Sequence, residues 1–178
     1  MANELLILLG IALARLIASI ILSLGALYTG IKVLDRLTAG IDEWKEIKKG
    51  NVAVGIFYAT VVLSLILLME PRIAEFANWI QATLPWQTTL YMLALSLINY
   101  LLDLALSVLI IYLSINLIDK LTVDLNEMEA LKKGNIAVAL ILSVMVLGVA
   151  LVARYPLDWT FLVMKALEGF IPVGFTVV

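Results

Sequence analysis

Two charged side chains interrupt the long apolar runs of this chain: Arg15 in LLILLGIALARLIASIILSLG and Asp103 in LALSLINYLLDLALSVLIIYL. Arg15 lies about ten residues into its run, roughly 15 Å at the helical rise, which is near the middle of a bilayer. An ionisable group at that depth costs about 2.5–3.5 kcal/mol on insertion scales and faces a partner or water. Asp103 is the only acid at comparable depth, so the two are expected to pair, either between helices of one chain or between subunits. Ser19 and Asn99 sit one helical turn away and complete a polar network. Such a network serves as a packing and register device, or as a step in an ion or proton path. The first use needs no further assumption.

A second group of polar residues occurs twice. The junction Lys48-Lys49-Gly50-Asn51 returns as Lys132-Lys133-Gly134-Asn135, 84 positions later, and Asp35 returns as Asp119. The Lys pair complements the negative C-terminal end of a helix dipole, Gly ends the helix in a left-handed turn, and Asn caps the helix that follows. The same Lys residues attract anionic lipid headgroups. A binding use would set Asn51 and Asn135 at a polar mouth, with Asp35 and Asp119 drawing cations.

Enzyme chemistry finds little footing. The chain has no Cys and no His, which removes thiolate nucleophiles, the commonest metal ligands and the ordinary near-neutral proton carrier. Ser and Thr therefore lack a His base, and no Walker-type loop is present. A non-enzyme without cofactor or metal is expected. The Lys residues alternate with acids, which argues against nucleic acid as a partner.

The elements that position these residues are membrane helices. Hydrophobic residues make up 63 % of the 178, and mean hydropathy is +1.09, against roughly 45–50 % apolar in a soluble domain. Four runs, at about 5–34, 52–69, 87–118 and 136–153, approach or exceed the roughly 20 apolar residues a bilayer core requires. The N-terminal run lacks a basic n-region and outlasts a signal h-region, so it reads as a retained first span. Over residues 28–54, 12 of 27 positions recur at 112–138. The expected fold is thus all-α: an integral membrane protein of two tandem two-helix hairpins in parallel orientation, residues 1–84 and 85–178. Eight of the 12 Lys and Arg residues fall at 32–49 or 120–133, which places both charged loops in the cytoplasm and both termini outside.

Within the loops, Gly40–Glu43 and Asp124–Glu127 have the spacing of a capping box. Ile41, Trp44 and Ile47, matched by Leu125, Met128 and Leu131, give each following short helix one apolar stripe suited to the headgroup region. The segment 70–86 reads as a further interfacial helix with Ile73, Phe76, Ile80 and Leu84 inward, and 155–178 as an outer interfacial segment. Small residues at spacing four (Gly10, Ala14 and Ala18; Ser19 and Ser23; Ala26 and Gly30) allow close helix packing.

The Gly-Asn-x-Ala junctions, Gly50-Asn51-Val52-Ala53 and Gly134-Asn135-Ile136-Ala137, resemble those of a prokaryotic membrane family called domain of unknown function 350. The preceding Asp-x-Leu-Thr at 35–38 and 119–122 is also similar to that family's loop. The resemblance covers residues 5–153 and implies a small multi-spanning protein without known catalytic residues. For some members it implies an association with membrane-stress systems built on phage-shock-type coat proteins. The reading is a structural or scaffold protein of the cell membrane, a homo-oligomer meeting anionic lipid or a peripheral membrane protein. A small ion channel or transport subunit with its polar path near Arg15 and Asp103 is the alternative.

Overall fold

A computed structural model describes residues 2–37, 42–81, 84–121 and 126–154. Among the described residues six helices follow one another: α1 (Ala2–Leu37), α2 (Glu43–Lys48), α3 (Val52–Asn78), α4 (Trp86–Leu121), α5 (Glu127–Lys132) and α6 (Ile136–Ala153). Among the described residues four of these, α1, α3, α4 and α6, are long and apolar enough to cross a membrane. The order long–short–long occurs twice, as the 84-residue repeat demands.

The short helices begin later than the capping-box spacing suggests. Asp42 accepts the Lys45 N–H and Asn126 accepts the Glu129 N–H, so these two residues are the N-caps. Gly40 and Asp124 lie outside the described residues. An Asx carboxylate or amide oxygen satisfies the orphan N–H three residues on, and that local bond decides the start. The apolar side of the short helices turns onto the bundle end: Leu131 is fully buried, and Ile47 and Met128 pack against the core. Trp44 remains exposed with its ring edge-on to Tyr58.

The expected separate helix at 70–86 is not formed. Helix α3 continues through Pro71 to Asn78. Proline removes the N–H that would bond to the Leu67 carbonyl, a local cost that neighbouring helices offset. The turn residue Ile80 and Leu84 are half-buried. The segment 155–178, expected at the outer interface, lies outside the described residues.

The most extensive contact between long helices is that of α3 with α6. At one end Asn51 of α3 donates to the carbonyls of Leu131 (3.0 Å) and Lys132 (3.2 Å). At the other end Arg154, just after α6, donates to Glu70 of α3 at 2.6 Å. The two helices therefore run side by side in the same direction. Helix α1 packs on α3 where Ala26 is buried and where a Cβ on Gly30 would overlap Leu65 Cδ2, so this pair of small residues does allow close approach. A Cβ on Gly10 would meet no described residue of another helix within 4 Å, and Leu5, Leu6 and Leu8 around it are at least 60 % exposed.

Candidate functional site

The repeated junctions have matching geometry. Gly50 and Gly134 adopt φ of 82° and 80°, a left-handed turn that an L side chain resists. Asn51 and Asn135 then cap α3 and α6, each accepting the N–H three residues on at 3.2 Å. Beyond this shared role they differ. Asn51 is half-buried and its amide crosses to the second junction, whereas Asn135 is exposed and its amide nitrogen has no partner among the described residues. Lys48, Lys49, Lys132 and Lys133 are exposed around them, and Asp35 is half-buried in the last turn of α1. The side chain of Asp119 lies outside the described residues. All four Lys residues of the junctions thus share one end of the bundle.

The four network residues do not meet as expected. Within the chain the partner of Asp103 is Arg72, not Arg15: the Arg72 Nε faces Asp103 Oδ2, and Arg72 Nη1 donates to Glu75 at 2.8 Å. Arg72 is 7 % and Asp103 2 % exposed. Arg15 instead donates from Nε to the Ile80 carbonyl at 3.0 Å. Ser19 only supplies its backbone carbonyl to the Ser23 hydroxyl. Asn99 is buried on the same face of α4 as Asp103, and neither of its amide atoms finds a hydrogen-bond partner among the described residues.

The same contacts fix the level of Arg15 within the bundle. Ile80 lies beyond the end of α3, so Arg15 stands at the end of the bundle rather than its middle. Helix α1 has 36 residues, about 54 Å, and residues 2–14 continue past the level of the turn. Arg15, Glu70, Arg72, Glu75, Asp103 and Arg154 form a charged belt away from the Lys junctions, and α4 continues past Asp103 with Thr88, Met92, Leu95 and Ser96 buried. Between that belt and the Lys junctions α6 supplies 18 residues, about 27 Å, close to the roughly 30 Å of a hydrocarbon core.

Arg72 escaped the sequence reading because it follows Pro71, where a new surface helix seemed to start. The useful signal was EPRIAE itself, a cluster of charges just where the apolar run stops. A groove of about 240 Å³ lies between α1 and α3 near this belt, lined by Ser19, Ser23, Ala26, Leu65, Met69 and Glu70 among others. On α4 the matching Ser107 is fully buried and contacts Met69 Sδ at 3.7 Å.

Outside the bundle's spans, burial and the nearby Asp35 and Asp42 carboxylates hold the Glu43 carboxyl above its ordinary value. Lys49 holds half-buried Glu46 below it, and Lys133 does the same for exposed Glu129.

No curated protein and no solved structure matches the chain. The family described as Domain of Unknown Function (DUF350) matches twice, over residues 6–103 and 91–175. The overlap at 91–103 falls in the first half of α4, so one family unit runs from a long helix into the start of the next. With four apolar helices of spanning length and two tandem matches covering nearly its whole length, the chain belongs to the DUF350 family of multi-pass membrane proteins.

Proposed function

We propose that this protein is a non-enzymatic structural or scaffold element of the cell membrane. Its short helices α2 and α5 lie at the cytoplasmic surface, against anionic headgroups or a peripheral partner such as a membrane-stress coat protein, and both termini lie outside. The observation that carries this reading is the gathering of both Lys-Lys-Gly-Asn junctions at one end, tied together by Asn51. Four Lys side chains there are exposed, Lys49 and Lys133 beside the Glu46 and Glu129 carboxylates and Lys48 and Lys132 without an ion pair among the described residues; at the other end Glu70 pairs with Arg154, and Arg72 with Asp103 and Glu75. Juxtamembrane Lys contributes about 1 kcal/mol each toward an anionic surface. Replacing Lys48, Lys49, Lys132 and Lys133 together by Gln is expected to strip co-purifying anionic lipid from the protein, read by native mass spectrometry. Unchanged lipid retention would overturn the reading.

Asn99 favours a second use. A buried amide without partners, one turn from Asp103, suits a hydrated step in an ion path. Purified protein in liposomes is expected to give no selective ion flux; robust flux lost in Asp103→Asn would put a small channel or transport subunit in place of the scaffold.

A further inference from the structure

The contact between the two repeats uses a different face of each. On α3, Ala53, Phe57, Ser64 and Leu68 are buried; their counterparts 84 residues later on α6 are Ala137, Ile141, Gly148 and Val152. Ile141 is 61 % and Val152 73 % exposed, Ala137 is exposed and Gly148 half-buried. Conversely, α6 buries Ala139, Ser143, Val146 and Ala150, and the matching Gly55, Ala59, Val62 and Ile66 of α3 are exposed or half-buried. The first long helices agree. Tyr100, Leu104 and Val108 of α4 are buried, whereas the equivalent Leu16, Ile20 and Leu24 of α1 are 49–62 % exposed.

A two-fold contact between equivalent units would bury the same face of both. Burial of different faces is a heterologous, head-to-tail contact, and it leaves one donating and one receiving face open. We propose that copies of this protein associate head to tail in the bilayer. The second repeat of one copy docks on the first repeat of the next, through the same contact that joins the repeats within a chain. It holds for a scaffold and for an ion-conducting subunit alike.

Three polar features match that occupant. The open amide of Asn135 stands where Asn51 stands in the first repeat, so it reaches the Ile47 and Lys48 carbonyls of the next copy as Asn51 reaches Leu131 and Lys132. The groove at Ser19 and Ser23 is the counterpart of the α4 surface at Asp103 and Ser107, which α3 covers with Arg72 and Met69. In the next copy it receives the end of α6. Glu70 and Arg154 occupy equivalent repeat positions and carry opposite charges. Each new contact therefore sets Arg154 beside another copy's Glu70, and an alternating ladder of charges results. Glu70 is 57 % and Arg154 34 % exposed, which leaves room for both neighbours. Direct repeats share an axis along the membrane normal, so a ring closes if the repeat rotation divides the circle.

The natural absence of Cys permits a direct test. Lys48→Cys and Asn135→Cys proteins carrying different tags are co-expressed and oxidised in native membranes. A disulfide dimer containing both tags is expected, with background levels from either variant alone. The positive control is Asn51→Cys with Lys132→Cys in one chain, which bridges intramolecularly. Dimers from Asn135→Cys alone would show a two-fold contact and overturn the proposal, as would no mixed dimer while the control forms. Independently, Val152→Trp is expected to abolish the higher-mass species in native mass spectrometry. Leu97→Trp, on a face exposed in both repeats (Leu13 58 %, Leu97 42 %), is expected to retain it. An unchanged mass distribution for Val152→Trp would overturn the proposal.

Discussion

Arg72 and Asp103 place a guanidinium against a carboxylate with almost no exposure. Removing one member of such a pair costs about 3–5 kcal/mol, because the other charge is left buried, whereas replacing both is far less costly. Asp103→Leu is therefore expected to lower stability in detergent unfolding by that amount, and Arg72→Met with Asp103→Leu to recover more than half. A double variant as weak as the single one would show that other contacts dominate. Asn99 runs the other way. A buried amide without hydrogen bonds costs about 1–3 kcal/mol, so Asn99→Leu is expected to unfold at an equal or higher temperature. Intramembrane charge made Arg15 and Asp103 legible from sequence, but their partners were not. Two charged residues announce a need for neutralisation and say nothing about which of several candidates the packing brings near.

At the scale of elements, local chemistry decides most of the outcome. Each Lys-Lys-Gly-Asn corner was legible because left-handed Gly and capping Asn act within a few residues. Gly50→Ala and Gly134→Ala should each cost about 1–2 kcal/mol through the left-handed backbone, measured by the same unfolding assay. Glu43 supplies a pH dependence. Its folded value lies above its ordinary one because of burial and the nearby carboxylates, so the folded chain holds that proton more tightly than the unfolded chain. Stability is then highest below the ordinary glutamate value and falls as pH rises toward the folded value, then levels off. Glu43→Gln is expected to flatten that slope in unfolding midpoints collected across the window. The error at 70–86 also belongs to this scale. Proline reads as a start or a stop in sequence, but neighbouring helices can carry a helix through it.

For the whole molecule, both short helices are at one end and the charged belt at the other, with a hydrocarbon-length stretch between. In intact cells Lys48→Cys is expected to be shielded from a membrane-impermeant thiol reagent and Asn78→Cys to react; the reverse pattern would invert the proposed orientation. The sequence by itself determined the membrane class, the four apolar helices, the duplicated unit and its corners, since composition, periodicity and capping act along the chain. Only the tertiary structure decided that Arg72 rather than Arg15 meets Asp103, that Arg15 stands level with the turn after α3, and that the repeats meet through different faces. Helical periodicity states which residues share a side of one helix. The neighbour that covers that side, and the axial offset at which it does so, depend on contacts between segments far apart in the chain.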